Sequence, residues 1–272
     1  MRNERIISGG RDTGTMKAIG FWALATFGLL AGNSWASSAL VPMVLVTTPK
    51  HTDEIRVVDG TIAANRPGHH AELMVDAGKQ CGAAVEFRFV PWQRALLQVK
   101  NGDADGAFSS SYDDERATYG VYPMINGKPD SSRALKGYSY SLYVPRHPAQ
   151  AWDGRVAAER GSSIIPRLVE QGFSHVEIND TVTMLRMVAG GRVSAAAIIT
   201  SVADAVLADA PDLAAALTRR EPPIEDKFGY VMLSKAFHTR HQGVAECFWS
   251  AIRDIKATPL HAERVQSYQA EK

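Results

Sequence analysis

The sequence predicts an α/β protein built from two units of alternating strands and helices. Short apolar or alternating runs, typical of buried strands, are separated by stretches with helical periodicity. Residues 119–137 are rich in Pro, Gly and Ser and interrupt this pattern, which then resumes. Because a strand–helix–strand order gives parallel strands through a helical crossover, we expect a mostly parallel sheet in each unit.

The composition is that of an ordinary globular protein. The 272 residues are 45% hydrophobic and 22% charged, and the formal net charge of +1 gives no bulk charge for nucleic acid or an acidic membrane. The sequence contains no Walker loop, dinucleotide fingerprint or nucleophile elbow. Its two cysteines exclude a multi-cysteine metal site. We therefore expect no nucleic-acid partner, no metal and no cofactor.

Residues 1–39 are predicted to be an N-terminal extension and a signal peptide. An apolar run follows Met16 and ends in small residues, and it is shorter than the roughly 20 residues of a membrane span. This pattern is typical of a secretory signal peptide, with cleavage after Ala36 or Ala39 and a periplasmic mature protein. Met16 is interpreted as the true start and 1–15 as an extension, with a long polar n-region as the alternative.

Three strands and two helices are predicted in the first unit. Prolines bound the first strand, alternation marks the second, and apolar positions three and four apart mark the helices. The elements are Met43–Thr48, Ala71–Gln80, Val85–Val90, Trp92–Lys100 and Gly106–Phe108. Residues 49–68 show no sustained period and contain several turn formers, so we expect a loop there.

Polar side chains stand where the last of these strands should end. Ser109, Ser110 and Ser111 follow it, and the charged turn Asp113–Arg116 comes next. In an open α/β sheet, small ligands bind beyond the carboxyl ends of the strands, so these groups are candidates for a binding site. Trp92, at the head of the preceding helix, offers a flat apolar wall.

The second unit is predicted to begin with an extended crossover strand at Tyr138–Val144, which alternates strongly. The strands and helices that follow are Arg155–Ala158, a helix from Pro166 to about Gln171, Val176–Ile178, Thr181–Val188, Ala195–Ile199 and Ser201–Ala208. Lys227–Ser234 is predicted to be an extended return segment, and Phe237–Lys256 to be helical.

Two pairs of residues allow more than one interpretation. Cys81 and Cys247 could pair in an oxidising compartment, but we favour two small buried thiols because the sequence does not show whether they come within bridging distance. His69 and His70 open a predicted helix and could face a ligand or a metal. Adjacent helical side chains project in different directions, so we favour solvated cap residues.

The stretch 91–116 resembles the family 3 periplasmic solute-binding proteins, the amino-acid-type receptors of bacterial uptake systems. In that family, a helix that starts at an aromatic residue leads through a Gly-x-x-Asp turn and a strand to a Ser-rich strand end and a Glu-Arg turn. The matching residues are Trp92, Gly102 with Asp105, Ser109 with Ser110, and Glu115 with Arg116. The order of elements resembles the family over almost the whole mature chain.

The resemblance implies the type 2 periplasmic-binding-protein fold. In that fold two α/β lobes, each a mostly parallel sheet flanked by helices, are joined by two hinge crossovers. We place the crossovers near Tyr138 and Phe228. Lobe 1 would then comprise residues 40–137 and 228–272, and lobe 2 would comprise residues 138–227.

The resemblance also implies roles for site residues. Arg116 would bind the ligand's carboxylate through paired guanidinium donors, although the segment between Ser110 and Arg116 is one residue shorter than usual. A surface ion pair with Asp113 or Glu115 is the alternative. The other ligand-binding candidates of the first unit are Trp92, Arg94, Ser109 and Ser110. The aromatic ring would pack on the ligand, the hydroxyl groups would contact it, and the second arginine would stack or reach an anion unless it forms an ordinary surface ion pair.

Two features of the second unit bear on the ligand's charge. The turn Gly161–Ser163 is predicted to bind an anion through Ser162, Ser163 and free backbone amides, with simple capping as the alternative. Thr200 is a further ligand-binding candidate, because receptors of the family usually carry an acid near this position, where it pairs with the ligand's ammonium group. Because this acid is absent, we expect a carboxylate or other anion rather than a free amino acid, although Asp204 could substitute.

These features together predict a periplasmic receptor that captures a small anionic or zwitterionic solute between two lobes and closes by hinge motion. It would act as a monomer and deliver the solute to a membrane permease of an ABC-type uptake system. One alternative is a dehydratase-like enzyme of the same fold, for which Glu72, Glu159 or Asp204 could supply the acid. Another is a periplasmic sensory or accessory protein.

Overall fold

The computed structural model describes residues 39–49, 52–147 and 151–271. The predicted signal peptide, cleavage after Ala36 and the choice of start codon lie outside these residues. In the described part of the chain, none of the helices combines the length and the apolarity that a membrane span requires.

The secondary structure alternates between strands and helices along the chain. The elements up to residue 145 are β1 (Val41–Thr47), β2 (Val57–Val58), β3 (Thr61–Ile62), α1 (His69–Gln80), β4 (Ala83–Phe89), α2 (Trp92–Asn101), β5 (Gly106–Ser111), α3 (Asp114–Ala117), β6 (Gly120–Val121), β7 (Met124–Ile125), β8 (Lys128–Pro129) and β9 (Lys136–Pro145). The elements that follow are β10 (Arg155–Glu159), α4 (Ile165–Glu170), β11 (Ser174–Ile178), α5 (Thr181–Ala189), β12 (Ala195–Ile199), α6 (Thr200–Asp209), α7 (Pro211–Ala216), β13 (Leu217–Ser234), α8 (Lys235–Arg240), α9 (Gln242–Lys256) and α10 (Pro259–Gln269).

One sheet runs through both units. Its order is β11-β10-β12-β9-β13-β5-β1-β4, and β6 also pairs with β13. β1 is parallel to β4 and β5, and β10 is parallel to β11 and β12. The long strands β9 and β13 are antiparallel to each other and join the two parallel sets. We call the set of β1, β4 and β5 with its helices lobe 1, and the set of β10, β11 and β12 with its helices lobe 2. The boundaries at 137/138 and 227/228 stay a prediction.

Lobe 1 is stabilised by a core between helices α1 and α9 and the sheet. Phe248 and Trp249 on α9 are fully buried against Leu73 of α1 and Met43 of β1. The Trp249 indole N–H donates a hydrogen bond to the Val231 carbonyl at 2.8 Å, so its one polar group is satisfied. Each such burial contributes roughly 1.5 to 3 kcal/mol. This packing fixes the strands whose carboxyl ends carry the site.

The cysteines form a disulfide, so the prediction of two free buried thiols is wrong. Cys81 directly follows the last residue of α1, Cys247 lies in α9, and their Cα atoms are 5.7 Å apart. Cys247 is exposed and Cys81 half-buried, so neither is the small core residue expected. The bond spans 166 residues and links the two chain segments that build lobe 1. Helix packing brings the two residues together, which a sequence spacing cannot show.

The prediction of solvated histidines at the start of α1 is also wrong. His69 and His70 are both buried, and their rings lie 4.5 Å apart in an edge-on contact. They follow Gly68, which has φ +105° and lies so close to the Glu54 carbonyl that a side chain could not fit there. The backbone of the preceding loop therefore packs directly on the helix start and covers both imidazoles. Burial lowers the pKa of His70 well below its ordinary value.

This buried histidine predicts a loss of stability in acid. Burial also lowers the pKa of His69 and of His261, whose ring lies 6.2 Å from that of His69. The unfolded chain takes up protons below the ordinary value of 6.5 while the folded imidazoles stay neutral, so the free energy of unfolding should fall as pH drops below that value. Urea unfolding at about pH 7.5 and about pH 5 would measure this fall. His70→Gln should reduce it, whereas the exposed His147→Gln should not.

The largest difference from the predicted elements concerns β13. The sequence predicts an extended segment only from Lys227, but the strand begins at Leu217. Its pairing with β9 shifts register between Arg220 and Glu225, around two prolines that cannot donate ladder hydrogen bonds. Prolines and an interrupted alternation do not predict a strand from the sequence, although pairing with β9 stabilises one here. The predicted helical stretch Phe237–Lys256 is divided between α8 and α9.

Candidate ligand-binding site

A cavity of about 160 Å³ lies between the lobes, at the carboxyl ends of β1, β5, β10 and β12. The sequence predicts a site at the carboxyl end of one of these strands, β5. The crossover strand β9 and the loop before α1 complete its walls. The lining residues are Thr47, Thr48, Thr52, Asp53, Glu54, Ile55, Trp92, Phe108, Ser109, Ser111, Arg116, Lys136, Tyr138, Tyr140, Glu159, Ile199, Ser201, Val202 and Ala205.

Arg116 lies at the wall of this cavity and is only 5% exposed. Helix α3 positions it, because the Asp113 carboxylate accepts the backbone N–H groups of Glu115 and Arg116 and so caps the helix. Its Nη1 donates to the carbonyl and hydroxyl oxygens of Ser111 at 3.0 and 3.2 Å, and its Nη2 donates to the Gly161 carbonyl at 2.8 Å. Within the described chain, no carboxylate forms an ion pair with this guanidinium. The alternative of a surface pair with Asp113 or Glu115 therefore does not occur here.

Trp92 and Arg116 reach the same backbone carbonyl of lobe 2. The guanidinium carbon lies 5.4 Å from the centre of the Trp92 ring, and the Trp92 indole N–H donates to the Gly161 carbonyl at 3.1 Å. Gly161 has φ +72°, and a Cβ there would be 2.1 Å from Oε1 of Gln93. This glycine therefore allows the close approach of the lobes at one edge of the cavity.

The three serines of β5 do not share one environment. Ser109 and Ser111 line the cavity, whereas Ser110 is buried on the other side and hydrogen-bonds the Tyr122 hydroxyl at 3.0 Å. The strand runs to Ser111, but Ser109 has φ +59° and the pairing with β13 shifts register beside it, so this irregularity sets which serines face the cavity. Of the predicted contacts, the structure places Ser109 in the lining and excludes Ser110. Ser111, which was not selected as a ligand contact, replaces it.

The serines of the second lobe lie outside the cavity lining. Ser163 hydrogen-bonds Ser111 across the lobes, with 2.5 Å between the hydroxyl oxygens. The buried hydroxyl of Ser162 has no hydrogen-bond partner in the described structure. Both residues border a separate interlobe cavity of about 280 Å³, which Arg116 also borders. They therefore lie beside the main cavity, and their predicted anion contact stays untested.

Two other predicted contacts are excluded from the cavity. The Thr200 hydroxyl turns away from it and bonds the Ser139 carbonyl at 3.0 Å and the Ser141 hydroxyl at 2.8 Å. Arg94 is exposed on α2 and does not reach the lining. Asp204, the possible substitute acid, accepts from the Tyr143 hydroxyl at 2.7 Å and pairs with Arg219 instead.

The cavity nevertheless contains carboxylates, so the expectation of a site without an acid is wrong. Glu54 and Asp53 come from the loop before α1, and Glu159 comes from the last position of β10. Glu54 forms an ion pair with Lys136, which also lines the cavity. Glu159 directly follows the buried run 156–158, and this strand-end position was the available sequence signal.

Two tyrosines of β9, Tyr138 and Tyr140, also line the cavity. Burial raises the pKa of Tyr138 and Tyr140. At Tyr140 the neighbouring charges act in opposite directions, because Glu159 raises its pKa and Arg116 lowers it. Tyr140 therefore lies within electrostatic reach of both a cation of lobe 1 and a carboxylate of lobe 2.

No known family model and no curated protein matches the sequence. Solved structures do match. A mutant of ArgBP from T. maritima is 12% identical with a TM-score of 0.65, and the match covers 84% of this chain and 95% of that chain. AbpA from Streptococcus pneumoniae, an amino acid ABC transporter substrate-binding protein bound to L-arginine, is 18% identical with a TM-score of 0.62 over 84% and 94%. This chain has the fold of the two-lobed periplasmic binding proteins.

A third structure with the periplasmic-binding-protein fold belongs to a different functional class. It is a histidine kinase sensor domain described as similar to periplasmic binding proteins, 16% identical with a TM-score of 0.64 over 86% of this chain and 96% of that one. At these identities the likeness establishes the fold. The predicted two-lobed α/β class is thereby confirmed, and the cavity described above is the interlobe cleft of that fold.

Proposed function

We propose that the protein is a periplasmic receptor that captures a small solute through its carboxylate, or an equivalent anion, in the interlobe cleft. The supporting observation is Arg116, a buried guanidinium at the cavity wall with no ion-pair partner in the described chain. An unpaired buried cation is costly, so an anionic group in the cavity would supply the missing charge. Ser109 and Ser111 add hydroxyl groups on the same wall.

Binding would favour the closed arrangement of the lobes. Four side-chain contacts already cross the cleft in the described structure: Arg116 and Trp92 contact Gly161, Ser111 contacts Ser163, and Thr48 contacts Glu159. A bound anion beside the Arg116 guanidinium would fix the position of this side chain and so favour the contacts between the lobes. Opening would bend the chain at β9 and β13, which are the connections between the two parallel sets.

Delivery to a membrane permease of an ABC transporter is the role that we favour. The predicted signal peptide supports a periplasmic location, and AbpA, of the same fold, is described as an amino acid ABC transporter component. We propose a monomeric receptor.

A sensory role is the second candidate because the histidine kinase sensor domain has this fold over 96% of its length. Of the three acids considered for a lyase, only Glu159 reaches the cavity.

A thermal-shift screen of residues 40–272 tests solute capture. A ligand that binds only the folded state, at about 100 times its dissociation constant, adds about 2.7 kcal/mol to the free energy of unfolding. We expect solutes with a carboxylate to raise the melting temperature more than their matched neutral amides. If amides and carboxylates have equal effects across the screen, the carboxylate site proposed at Arg116 is wrong.

A deletion strain separates transport from sensing. Once the screen provides a radiolabelled solute, cells that lack the gene should take it up more slowly, and the gene carrying Arg116→Ala should not restore uptake. Normal uptake together with loss of a transcriptional response to that solute would instead support the sensory candidate.

A further inference from the structure

The carboxylate of Glu159 is a second charge of the cavity without an ion-pair partner. It lies at the carboxyl end of β10, half-buried, and its Oε1 accepts a 3.3 Å hydrogen bond from the Thr48 hydroxyl of lobe 1. In the described residues, neither a lysine nor an arginine forms an ion pair with it. A neutral donor at that distance leaves most of the carboxylate's hydrogen-bonding capacity unused.

The other long charged side chains in and near the cavity have partners. Lys136 and Glu54, which both line the cavity, form an ion pair with each other. Asp204, which does not line it, forms an ion pair with Arg219. Asp53 adds a further carboxylate to the lining. Arg116 and Glu159 therefore stand out as a guanidinium and a carboxylate that border one cavity and do not pair with each other or with another charged side chain of the described chain.

The two groups are placed for a ligand that carries both charges. Arg116 belongs to lobe 1 and Glu159 to lobe 2, and both line one cavity together with Tyr140 of the crossover strand β9. A solute with a single negative charge would satisfy Arg116 and leave the half-buried Glu159 without a counter-charge in the same cavity, which is unfavourable. A solute with a negative and a positive group would satisfy both and would connect the lobes.

We propose that Glu159 binds a cationic group of the solute, so that the ligand is a zwitterion with its carboxylate at Arg116 and its ammonium or guanidinium group at Glu159. The inference rests on the proposed function. It places the cation-binding acid at the end of β10, whereas the family resemblance indicates the position of Thr200, whose side chain turns away from the cavity. Glu159 is then the residue that selects zwitterions over simple acids.

Matched sets of small-molecule probes test whether Glu159 selects zwitterions over simple acids. Each set holds an amino acid, its deaminated acid and its decarboxylated amine: L-leucine, isocaproate and isoamylamine; L-alanine, propionate and ethylamine. δ-Guanidinovalerate is a separate zwitterionic probe, whose cationic group is a guanidinium. We expect at least one amino acid to raise the melting temperature of the wild-type protein more than both of its counterparts. In Glu159→Gln, its affinity should fall about 10- to 100-fold, while the affinity for the deaminated acid should stay the same or rise. Glu170→Gln, an exposed acid of the same lobe, should match the wild type.

The possible outcomes distinguish the two proposals. Acids that bind as tightly as amino acids, with no effect of Glu159→Gln, would overturn the role of Glu159 and leave the carboxylate site at Arg116 intact. Stabilisation by Ca²⁺ alone that Glu159→Gln abolishes would assign the carboxylate to a metal ion and also overturn this role. If no probe that carries a carboxylate stabilises the protein, the proposed function fails as well.

Discussion

Arg116→Ala should remove most of the affinity for the solute. The guanidinium is the buried cation of the cleft, and its loss would leave the ligand's anionic group enclosed without a charged partner. Losing one member of a desolvated, hydrogen-bonded charge pair costs about 2 to 5 kcal/mol. Calorimetric titration of the best solute from the thermal-shift screen would measure this loss directly. An unchanged dissociation constant would remove the main support for the site.

Two further variants show whether the loss is specific to this guanidinium. Arg94→Ala removes an exposed arginine from the same lobe that does not reach the cavity, so it should leave the affinity unchanged. Ser163→Ala removes one hydroxyl that bonds Ser111 across the cleft, and we expect a loss of about 0.5 to 1.5 kcal/mol.

A third comparison separates binding from lobe contact. Arg116 also donates to the Gly161 carbonyl of lobe 2, so its removal weakens the closed arrangement even without a ligand. Arg116→Lys keeps a positive charge but lacks the paired donors of the fork. An affinity between those of the wild type and Arg116→Ala would show that both charge and geometry contribute.

Much of the fold could be predicted because its strands leave local signals. The alanine- and isoleucine-rich run Ala195–Ile199 is bounded by polar residues, and β12 occupies the same five positions. The proline-bounded run near Met43 predicts β1 to within two residues at its start. β13 could not be predicted in full, because its first half is held by pairing with β9 and its own composition opposes a strand.

The site was predictable only where one local segment carries it. The order of residues from Trp92 to Arg116 points to a cavity wall, and the structure places Trp92, Ser109 and Arg116 there. Ser110 and Thr200 do not line the cavity, whereas a neighbour of each in the strand or helix does. A pattern gives the segment, whereas strand register and helix rotation decide which side chain enters the site.

Residues from distant segments were not predicted to contact the solute, and Glu159 was a candidate only as the acid of the enzyme alternative. Lys136 lies at the start of a crossover strand and Glu159 follows a short buried run, and neither position has a signal that ties it to Arg116. They share a cavity because the carboxyl ends of β5 and β10 face each other across the cleft, and the first half of β9 runs between them. The charge balance of the cleft is a property of that assembly, which explains why the expectation of a site without an acid failed.

Replacing both cysteines with serine should lower the free energy of unfolding by about 2 to 5 kcal/mol. The bond between Cys81 and Cys247 closes a segment with a sequence separation of 166, and a cross-link over so long a segment restricts the unfolded chain strongly. It also holds the end of α1 against α9, the helix that covers the core of lobe 1. The double variant leaves no unpaired thiol that could react in place of the bond.

Urea unfolding of the wild type and the double variant, with and without reductant, measures the contribution of the disulfide. Because Cys247 is exposed, reductant should reach the bond and bring the wild type close to the variant, while the variant itself should not respond. Solute affinity should change little, since neither cysteine and no residue of α1 or α9 lines the cavity. Equal stability of the four samples would show that the bond does not stabilise lobe 1. A large loss of affinity in the double variant would instead show that the position of α1 controls the loop Thr52–Ile55, which forms the wall of the cleft next to that helix.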